Sequence, residues 1–390
     1  MEGTTNRRRI IHNCHVHLFN IDHIPRRFLN RFLTVPLVKR ERVARVCYWA
    51  LRKWFHRYAA FFYSAMKIAP EAILEELTTY YPEKTRFVPL TIDFDYMEAG
   101  SPLRPFEKQL EDIADLKQKA PELIFPFIGV DPRRPKVINL VQEYIERRGF
   151  CGIKLYPGLG FFPNDEGLHD IYAYAEENDI PITSHCLPKN KNYYRGKLTT
   201  AQLEQAEEVP GFDVKETRKN YDFAQYFNHP FWYGKVLETF PNIKINLAHF
   251  GGDKEWCKYL DDYYEEDRRV QNWYLLIRNL MRDHANVYAD ISFTVFDCKL
   301  YPVLKNLMHS PKVKDRVLFG SDFYMLQKDY RERRFGLDVR GYLDDEHYWQ
   351  IAESNPICFL SSRFHDFTFQ TVVEENWQPI EPVWSDLRVN

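Results

Sequence analysis

The chain has 390 residues and a mass of 46.8 kDa, which gives roughly 16,000 Å² of folded surface against roughly 68,000 Å² for the open chain and leaves room for a large core. Its 53 Lys plus Arg against 55 Asp plus Glu give a net charge of -2, with 45% hydrophobic and 28% charged residues. Those proportions exclude a disordered chain and a globally basic nucleic-acid binder.

Seven cysteines stand at positions 14, 47, 151, 186, 257, 298 and 358, with no CxxC pair among them. A reduced, cytoplasmic setting is the expectation that follows. Arg7, Arg8 and Arg9 run directly into Ile10, Ile11 and a histidine cluster, which is not the apolar segment of a signal peptide. No stretch of 18 apolar residues occurs, so no spanning helix is expected.

In chain order, apolar or β-branched runs occupy 10–18, 86–93, 123–130, 152–156, 180–185, 243–249, 286–292 and 316–322. Helical stretches separate them, among them 105–120 and 135–148, the latter opening with Pro135 in its first turn and stopping at Gly149. Eight such alternations predict an α/β fold, a (β/α)8 TIM barrel, with a doubly wound sheet as the other arrangement. One barrel domain over 1–362 is expected, followed by a C-terminal extension over 363–390. A plain barrel needs about 250 residues, so helical insertions are placed after strand 1, at 20–69, and after strand 5, at 187–228.

The first insertion is unusual in charge. It holds eleven Lys or Arg and two acids, a net of +9 that leaves -11 for the remainder. Tyr48, Trp49, Trp54, Phe55, Tyr58, Phe61 and Phe62 crowd its centre. A helical cover on the barrel mouth or a subunit interface accounts for that composition, the latter making a homo-oligomer an expectation. A membrane-surface helix is the other reading.

The chemistry sits at strand ends. In the run His12-Asn13-Cys14-His15-Val16-His17, the strand period of two puts Asn13, His15 and His17 on one face and Cys14 and Val16 on the other. Two imidazoles on one face can hold one ion with little backbone strain. Strand 5 ends in His185, strand 6 in His249 and strand 8 in Gly320-Ser321-Asp322. Barrel enzymes place their active sites at this rim, so five metal-binding or acid–base side chains there point to a metal site. Alternation also aims Lys154 and Tyr156 of strand 4 at the barrel axis, with Ile153 and Leu155 facing the helices.

The ordered set His15-Val16-His17, His185, His249 and Gly320-Ser321-Asp322, with Asn355-Pro356 following, resembles the amidohydrolase superfamily, and in particular the branch containing aminocarboxymuconate semialdehyde decarboxylase. The resemblance covers about 9–361. It implies that His15, His17, His185 and Asp322 bind a divalent ion, most often zinc, and that His249 stands beside it as a catalytic group. An open coordination position on such an ion lowers the pKa of its water to about 7, and Asp322 accepts the proton as that water attacks. A strand-4 lysine at the place of Lys154 is carboxylated in some branches and bridges two metals. The other reading of Lys154 is a cation for a substrate carboxylate beside a single metal, and the single-metal site is favoured. Two departures stand out: Asn13 replaces the usual acid of the strand-1 motif, and Phe323-Tyr324 replaces an aromatic followed by proline.

These residues imply a metal-dependent hydrolase of a small, carboxylated substrate, with a lyase (decarboxylase or hydratase) as the alternative and a non-catalytic membrane-surface or partner-binding protein as the third reading. Arg195, with Lys189, Lys191, Tyr193 and Tyr194, lies in the segment after His185, where contact with an anionic substrate competes with a plain solvated loop. Cys14 and Cys186 are expected to pack against helices, and Asp93 and Asp95 to be ordinary strand-end polar residues.

Overall fold

The structure is a computed structural model that describes residues 9–28, 63–67, 69–188, 194–212, 220–261 and 271–367. Its strands are β1 (His12–Val16), β2 (Arg86–Pro89), β3 (Phe127–Val130), β4 (Gly152–Leu155), β5 (Ile182–His185), β6 (Ile245–Ala248), β7 (Val287–Asp290) and β8 (Val317–Leu318). β1 pairs with β2, and β3 to β8 pair in sequence order, all in parallel. Bridges from Phe87 to Ile124, Leu90 to Phe127 and Val16 to Phe323 join the two groups. The result is a closed (β/α)8 barrel whose seam lies between β1 and the segment after β8.

Every run expected as a strand contains one. The ladders are shorter than the runs, because His17, His249 and Asp322 lie just past the last paired residues, where the chain leaves the sheet.

The helices are α1 (Pro70–Thr78), α2 (Phe106–Lys119), α3 (Val137–Arg147), α4 (His169–Glu177), α5 (Thr200–Ala206), α6 (Asn220–Phe227), α7 (Phe231–Thr239), α8 (Asp253–Asp261), α9 (Trp273–Asp283), α10 (Tyr301–Met308), α11 (Glu332–Tyr342), α12 (Asp345–Trp349) and α13 (Asn355–Leu360). In α2 the apolar residues Phe106, Leu110, Ile113 and Ala114 recur at helical spacing and are the buried ones. The helix expected over 135–148 begins at Val137 instead. Lys136 before it has φ +56°, a left-handed turn that leaves Pro135 outside the helix.

The insertion at 187–228 carries α5 and α6, and α5 opens on a reciprocal cap between Thr199 and Gln202. Of the insertion at 20–69, the basic aromatic stretch at 29–62 lies outside the described residues. Its start forms a short turn at Ile21–His23 capped by Asn20. Among the described residues no helix is long and apolar enough to cross a membrane.

Two apolar clusters hold the barrel. The larger lies between strands and helices and includes Ile153, Leu155, Leu247 and Ala289 with Val141, Ile171 and Ile277. The smaller unites Cys14, Val88, Phe127, Cys151, Tyr288 and Leu318 with Phe359, Leu360 and Phe367. Phe127 reaches to 2.5 Å from where a side chain on Gly152 would begin. Gly152 shares its strand face with Lys154, so this cluster is the barrel's interior floor, closed from below by C-terminal aromatics. Phe367 stacks edge-on to Phe125 at 4.8 Å, and the Arg86 guanidinium lies 5.5 Å from the Phe125 ring.

Cys14 therefore departs from expectation: it joins the cluster on the barrel's interior floor, not the layer between the strands and the surrounding helices. The cause is a bulge. Pairing with β2 steps three residues, from Asn13 to Val16, while β2 steps two, from Phe87 to Pro89. The extra residue resets the alternation. Asn13 turns away from the histidines, and its amide donates to Tyr81 Oη at 3.0 Å and Ser321 Oγ at 2.8 Å. His15 and His17 keep the inward face. Cys186 follows expectation, with its thiol against the Asn228 carbonyl at 3.5 Å. Asp93 and Asp95 are ion-paired to Arg134 at 2.6 and 2.7 Å.

Candidate metal centre

At the upper end of the barrel, the side chains of His15, His17 and Asp322 converge. Asp322 Oδ1 lies 3.1 Å from His17 Nε2 and 3.6 Å from His15 Nε2. All three residues are buried. The outer nitrogens of both rings are already committed: His17 Nδ1 faces the Leu90 carbonyl at 3.0 Å, and His15 Nδ1 faces Asp290 Oδ2 at 3.1 Å. A proton held at each Nδ1 leaves each Nε2 lone pair pointing at the shared space. That is the donor arrangement a divalent ion requires, with the second nitrogen held by a carboxylate or carbonyl.

A second group, His15, His249 and Asp290, is also close enough to share an ion. Its centre holds a side chain instead. Ser292 Oγ lies 3.0 Å from both His15 Nδ1 and His249 Nδ1 and donates to Asp290. Asp290 further accepts from Asn246 Nδ2 at 2.7 Å and from the His249 backbone N–H at 3.1 Å. This group is a hydrogen-bonded frame that orients the histidines. Of the His15, His17 and Asp322 set, His17 and Asp322 line the cavity beside them and His15 Nε2 points to Asp322.

His185 and His249 complete the wall, with His185 Nδ1 3.0 Å from His249 Nε2. Burial lowers the imidazole pKa of both, and Lys154 nearby adds to the effect. Burial likewise pushes His15 down to about 4, against the pull of Asp290. All three rings are therefore neutral near pH 7, the form that ligates metal. Burial by itself would raise Asp322, but the adjacent imidazoles of His17 and His15 outweigh it and hold the carboxyl below the usual carboxylate range. His249 and Asp322 have φ of +67° and +63°, backbone conformations costly for non-glycine residues and concentrated at functional sites.

Lys154 and Tyr156 reach the same space, as their strand alternation requires. They line a cavity of about 40 Å³ with His17, His185, His249 and Asp322, opposite Phe19, Phe28 and Phe94. The Tyr156 ring packs on His185 with centroids 4.1 Å apart. Lys154 is 1% exposed, and its Nζ has no hydrogen-bond partner among the described residues. Burial pushes its pKa down to about 8, despite the carboxylates of Asp290 and Asp322.

Arg195 is not among the cavity-lining residues; its backbone N–H bonds the Met97 carbonyl at 2.9 Å. Lys189, Lys191 and Tyr193 lie outside the described residues. Asp290, Ser292 and Asn246 are the site residues that the sequence reading passed over. Their signal was present: Tyr288, Asp290 and Ser292 alternate along one predicted strand, with an acid at its C-terminal end as in Asp322.

Gly320 makes room for the centre. A β-carbon there would fall 2.9 Å from His15 Cβ and 3.3 Å from Ser292 Cβ, so something must shift. Gly320→Ala is expected to cost about 1–3 kcal/mol of stability and to weaken metal binding, as read by thermal unfolding with and without added zinc. An unchanged zinc-induced rise in melting temperature would contradict this packing.

A family model described as Amidohydrolase matches residues 14–360. The chain belongs to the amidohydrolase family. Nothing among curated proteins matches it. Among solved structures, this amidohydrolase is similar to 2,6-dihydroxybenzoate decarboxylase from Rhizobium, with 13% identity over 90% of this chain and 99% of that one and a TM-score of 0.53. It is also similar to a probable 2-pyrone-4,6-dicarboxylic acid hydrolase from Acinetobacter baumannii, with 10% identity, coverage of 90% and 98%, and a TM-score of 0.51. The third is 5-carboxyvanillate decarboxylase from Novosphingobium aromaticivorans, complexed with manganese, with 14% identity, coverage of 92% and 97%, and a TM-score of 0.50. At these identities the likeness shows the barrel fold.

Proposed function

We propose that this amidohydrolase is a metal-dependent decarboxylase of a small carboxylated acid, in the branch resembling aminocarboxymuconate semialdehyde decarboxylase. The observation that carries the reading is Lys154, a buried ammonium with no hydrogen-bond partner facing the same cavity as Asp322 and the histidines. A buried charge without a partner is costly, and an incoming carboxylate supplies the missing partner.

Histidine-rich donors suit zinc, and His15, His17 and Asp322, with His185 beside them, would hold the ion. When bound, it supplies positive charge that draws electrons from the substrate's oxygens. Lys154 attracts the carboxylate, and Phe19, Phe28 and Phe94 pack on the apolar remainder. Loss of carbon dioxide leaves an electron pair on carbon, which must collect a proton. Asp322, held as a carboxylate, takes up that proton from a substrate hydroxyl or water and returns it to the carbon. His249 stands beside the developing negative charge, its Nδ1–H donated to the Ser292 carbonyl at 3.1 Å and its Nε2 turned toward His185.

Hydrolysis is the second reading, supported by the same Asp322 as acceptor of a water proton. The sequence reading placed it first. The two dihydroxybenzoate- and carboxyvanillate-type decarboxylases among the similar structures, together with the charge of Lys154, now support the lyase ahead of it.

The test is to incubate zinc- or manganese-loaded protein with a panel of hydroxylated aromatic and unsaturated carboxylic acids, trapping carbon dioxide. One carbon dioxide per acid consumed is expected, and replacement of Lys154 by Met should abolish it. Release of acid plus alcohol or amine from esters and amides, without carbon dioxide, would return the hydrolase to first place.

A further inference from the structure

Behind the ligands, on the side facing the helices, four polar side chains form a hydrogen-bonded chain, with Asn13, Ser321 and Glu332 buried and Tyr81 half-buried. Asn13 Nδ2 donates to Tyr81 Oη at 3.0 Å and to Ser321 Oγ at 2.8 Å. The Tyr81 hydroxyl then donates to the carboxyl of Glu332, at the start of α11, with Tyr81 Oη to Glu332 Oε1 at 2.6 Å. Asn13 Oδ1 faces the other way, accepting from the backbone N–H of Ser321 at 3.1 Å and of His15 at 3.3 Å. The Asn13 amide thus clamps two ligand-bearing segments together, one at His15 and one at the residue before Asp322. Ser321 Oγ also accepts from the Phe323 N–H at 3.2 Å, so one hydroxyl fixes the backbone on both sides of Asp322.

Glu332 is 2% exposed, and its Oε2 has no hydrogen-bond partner among the described residues. Burial raises its pKa to about 7, against the hydrogen bonds from Ser321 and Tyr81. A carboxyl kept in such a place brings a cost to folding, and no salt bridge among the described residues offsets it. What it does supply is an acceptor for the Tyr81 hydroxyl, which leaves Tyr81 Oη in the orientation that receives the Asn13 amide beside Ser321.

We propose that Glu332 is a positioning residue for the metal centre: through Tyr81, Ser321 and Asn13 it sets the placement of Asp322 relative to His15 and His17. The inference rests on the reading of those three residues as metal ligands. Partners one step removed from a metal's ligands typically change its affinity by about 10–100-fold when lost.

The experiment titrates zinc alone, in competition with a chelator, into metal-free protein and its Glu332→Gln, Tyr81→Phe and Glu332→Asp variants. Expected are affinities about 10–100-fold weaker for Glu332→Gln, weaker by less for Tyr81→Phe, and partial recovery in Glu332→Asp. The double variant Tyr81→Phe with Glu332→Gln should lose less than the product of the single losses, because both act on one group. Melting temperatures of the metal-free proteins provide the second readout. A purely structural role predicts a drop in melting temperature with zinc affinity intact. The proposal predicts the reverse for Glu332→Gln, since a buried carboxyl is removed. Glu255→Gln is the control: equally buried but bonded to the Trp273 N–H and Lys258, it should lower the melting temperature and leave zinc affinity unchanged. Wild-type affinity in both Glu332→Gln and Tyr81→Phe would overturn the inference, and failure of the wild-type protein itself to bind zinc would overturn the metal-centre reading instead. If Glu332→Gln fails to fold, Tyr81→Phe decides alone.

Discussion

Asp322→Asn is expected to strip the ion, lowering zinc affinity by more than the roughly 100-fold that marks the upper range for loss of a supporting partner. The carboxylate is the only anionic donor in the set whose atoms face open space, and it lies against the Nε2 of both His15 and His17. An asparagine keeps the shape, so the metal-free melting temperature should move far less than the affinity. Asp290→Asn makes the informative comparison. Asp290 is bonded to His15, Asn246, Ser292 and the His249 backbone, which makes it an orienting group. Its loss should weaken zinc by about 10–100-fold without abolishing binding. Were Asp290→Asn to release the ion while Asp322→Asn retained it, the site would lie in the His15, His249 and Asp290 group, and Ser292 would have to move out of its centre. Elemental analysis of the two variants purified side by side separates these outcomes.

Lys154→Met is expected to weaken affinity for carboxylate ligands by about 10- to 100-fold, a charge-assisted contact in a buried site being worth some 1.5–3 kcal/mol. Benzoate and dihydroxybenzoates serve as probes. Methionine fills similar volume without the buried charge, so the metal-free protein should melt at a higher temperature than wild type. The pH dependence has a definite sign. With the Lys154 pKa lowered to about 8, the metal-free protein holds the ammonium below that value and loses it above. Carboxylate binding should therefore weaken as pH rises through about 8, and the Met variant should show no such step. Metal content answers a separate question. One ion per chain in both proteins identifies Lys154 as a substrate contact, whereas two ions in wild type falling on replacement would identify a carboxylated, bridging lysine.

The barrel and its rim were legible from sequence because both depend on periodicity and position. Eight apolar runs alternating with helices admit few closed folds, and His15, His17, His185, His249 and Asp322 each fall where a strand ends. Lys154 and Tyr156 were legible for the same reason, since an unbroken period of two in β4 sorts them from Ile153 and Leu155. The face of Asn13 and Cys14 was not. The bulge between Asn13 and Val16 depends on how β1 registers against β2, which no local pattern encodes. The Glu332 group was hidden too, because it is assembled from four segments whose residues look ordinary one by one. Asp290 was readable in principle, but an acid two residues before the end of an apolar run looks like the start of a loop until Asn246 and Ser292 are seen to bond it.

The barrel's seam has a consequence for how the protein acquires its ion in a cell. The Asp322 backbone N–H bonds the His15 carbonyl at 2.8 Å, and the Asn13 and Ser321 side chains that meet beside them are 308 residues apart in the chain. At roughly 5–20 residues per second, a ribosome that has finished the first two ligands takes on the order of 15–60 seconds to supply the third. During that interval His15 and His17 are a bare pair with weak hold on any metal. With His15, His17 and Asp322 as the proposed ligands, loading with a divalent ion is expected to follow translation and report completion of the barrel, and a stalled or truncated chain ending before β8 is expected to compete poorly for the ion.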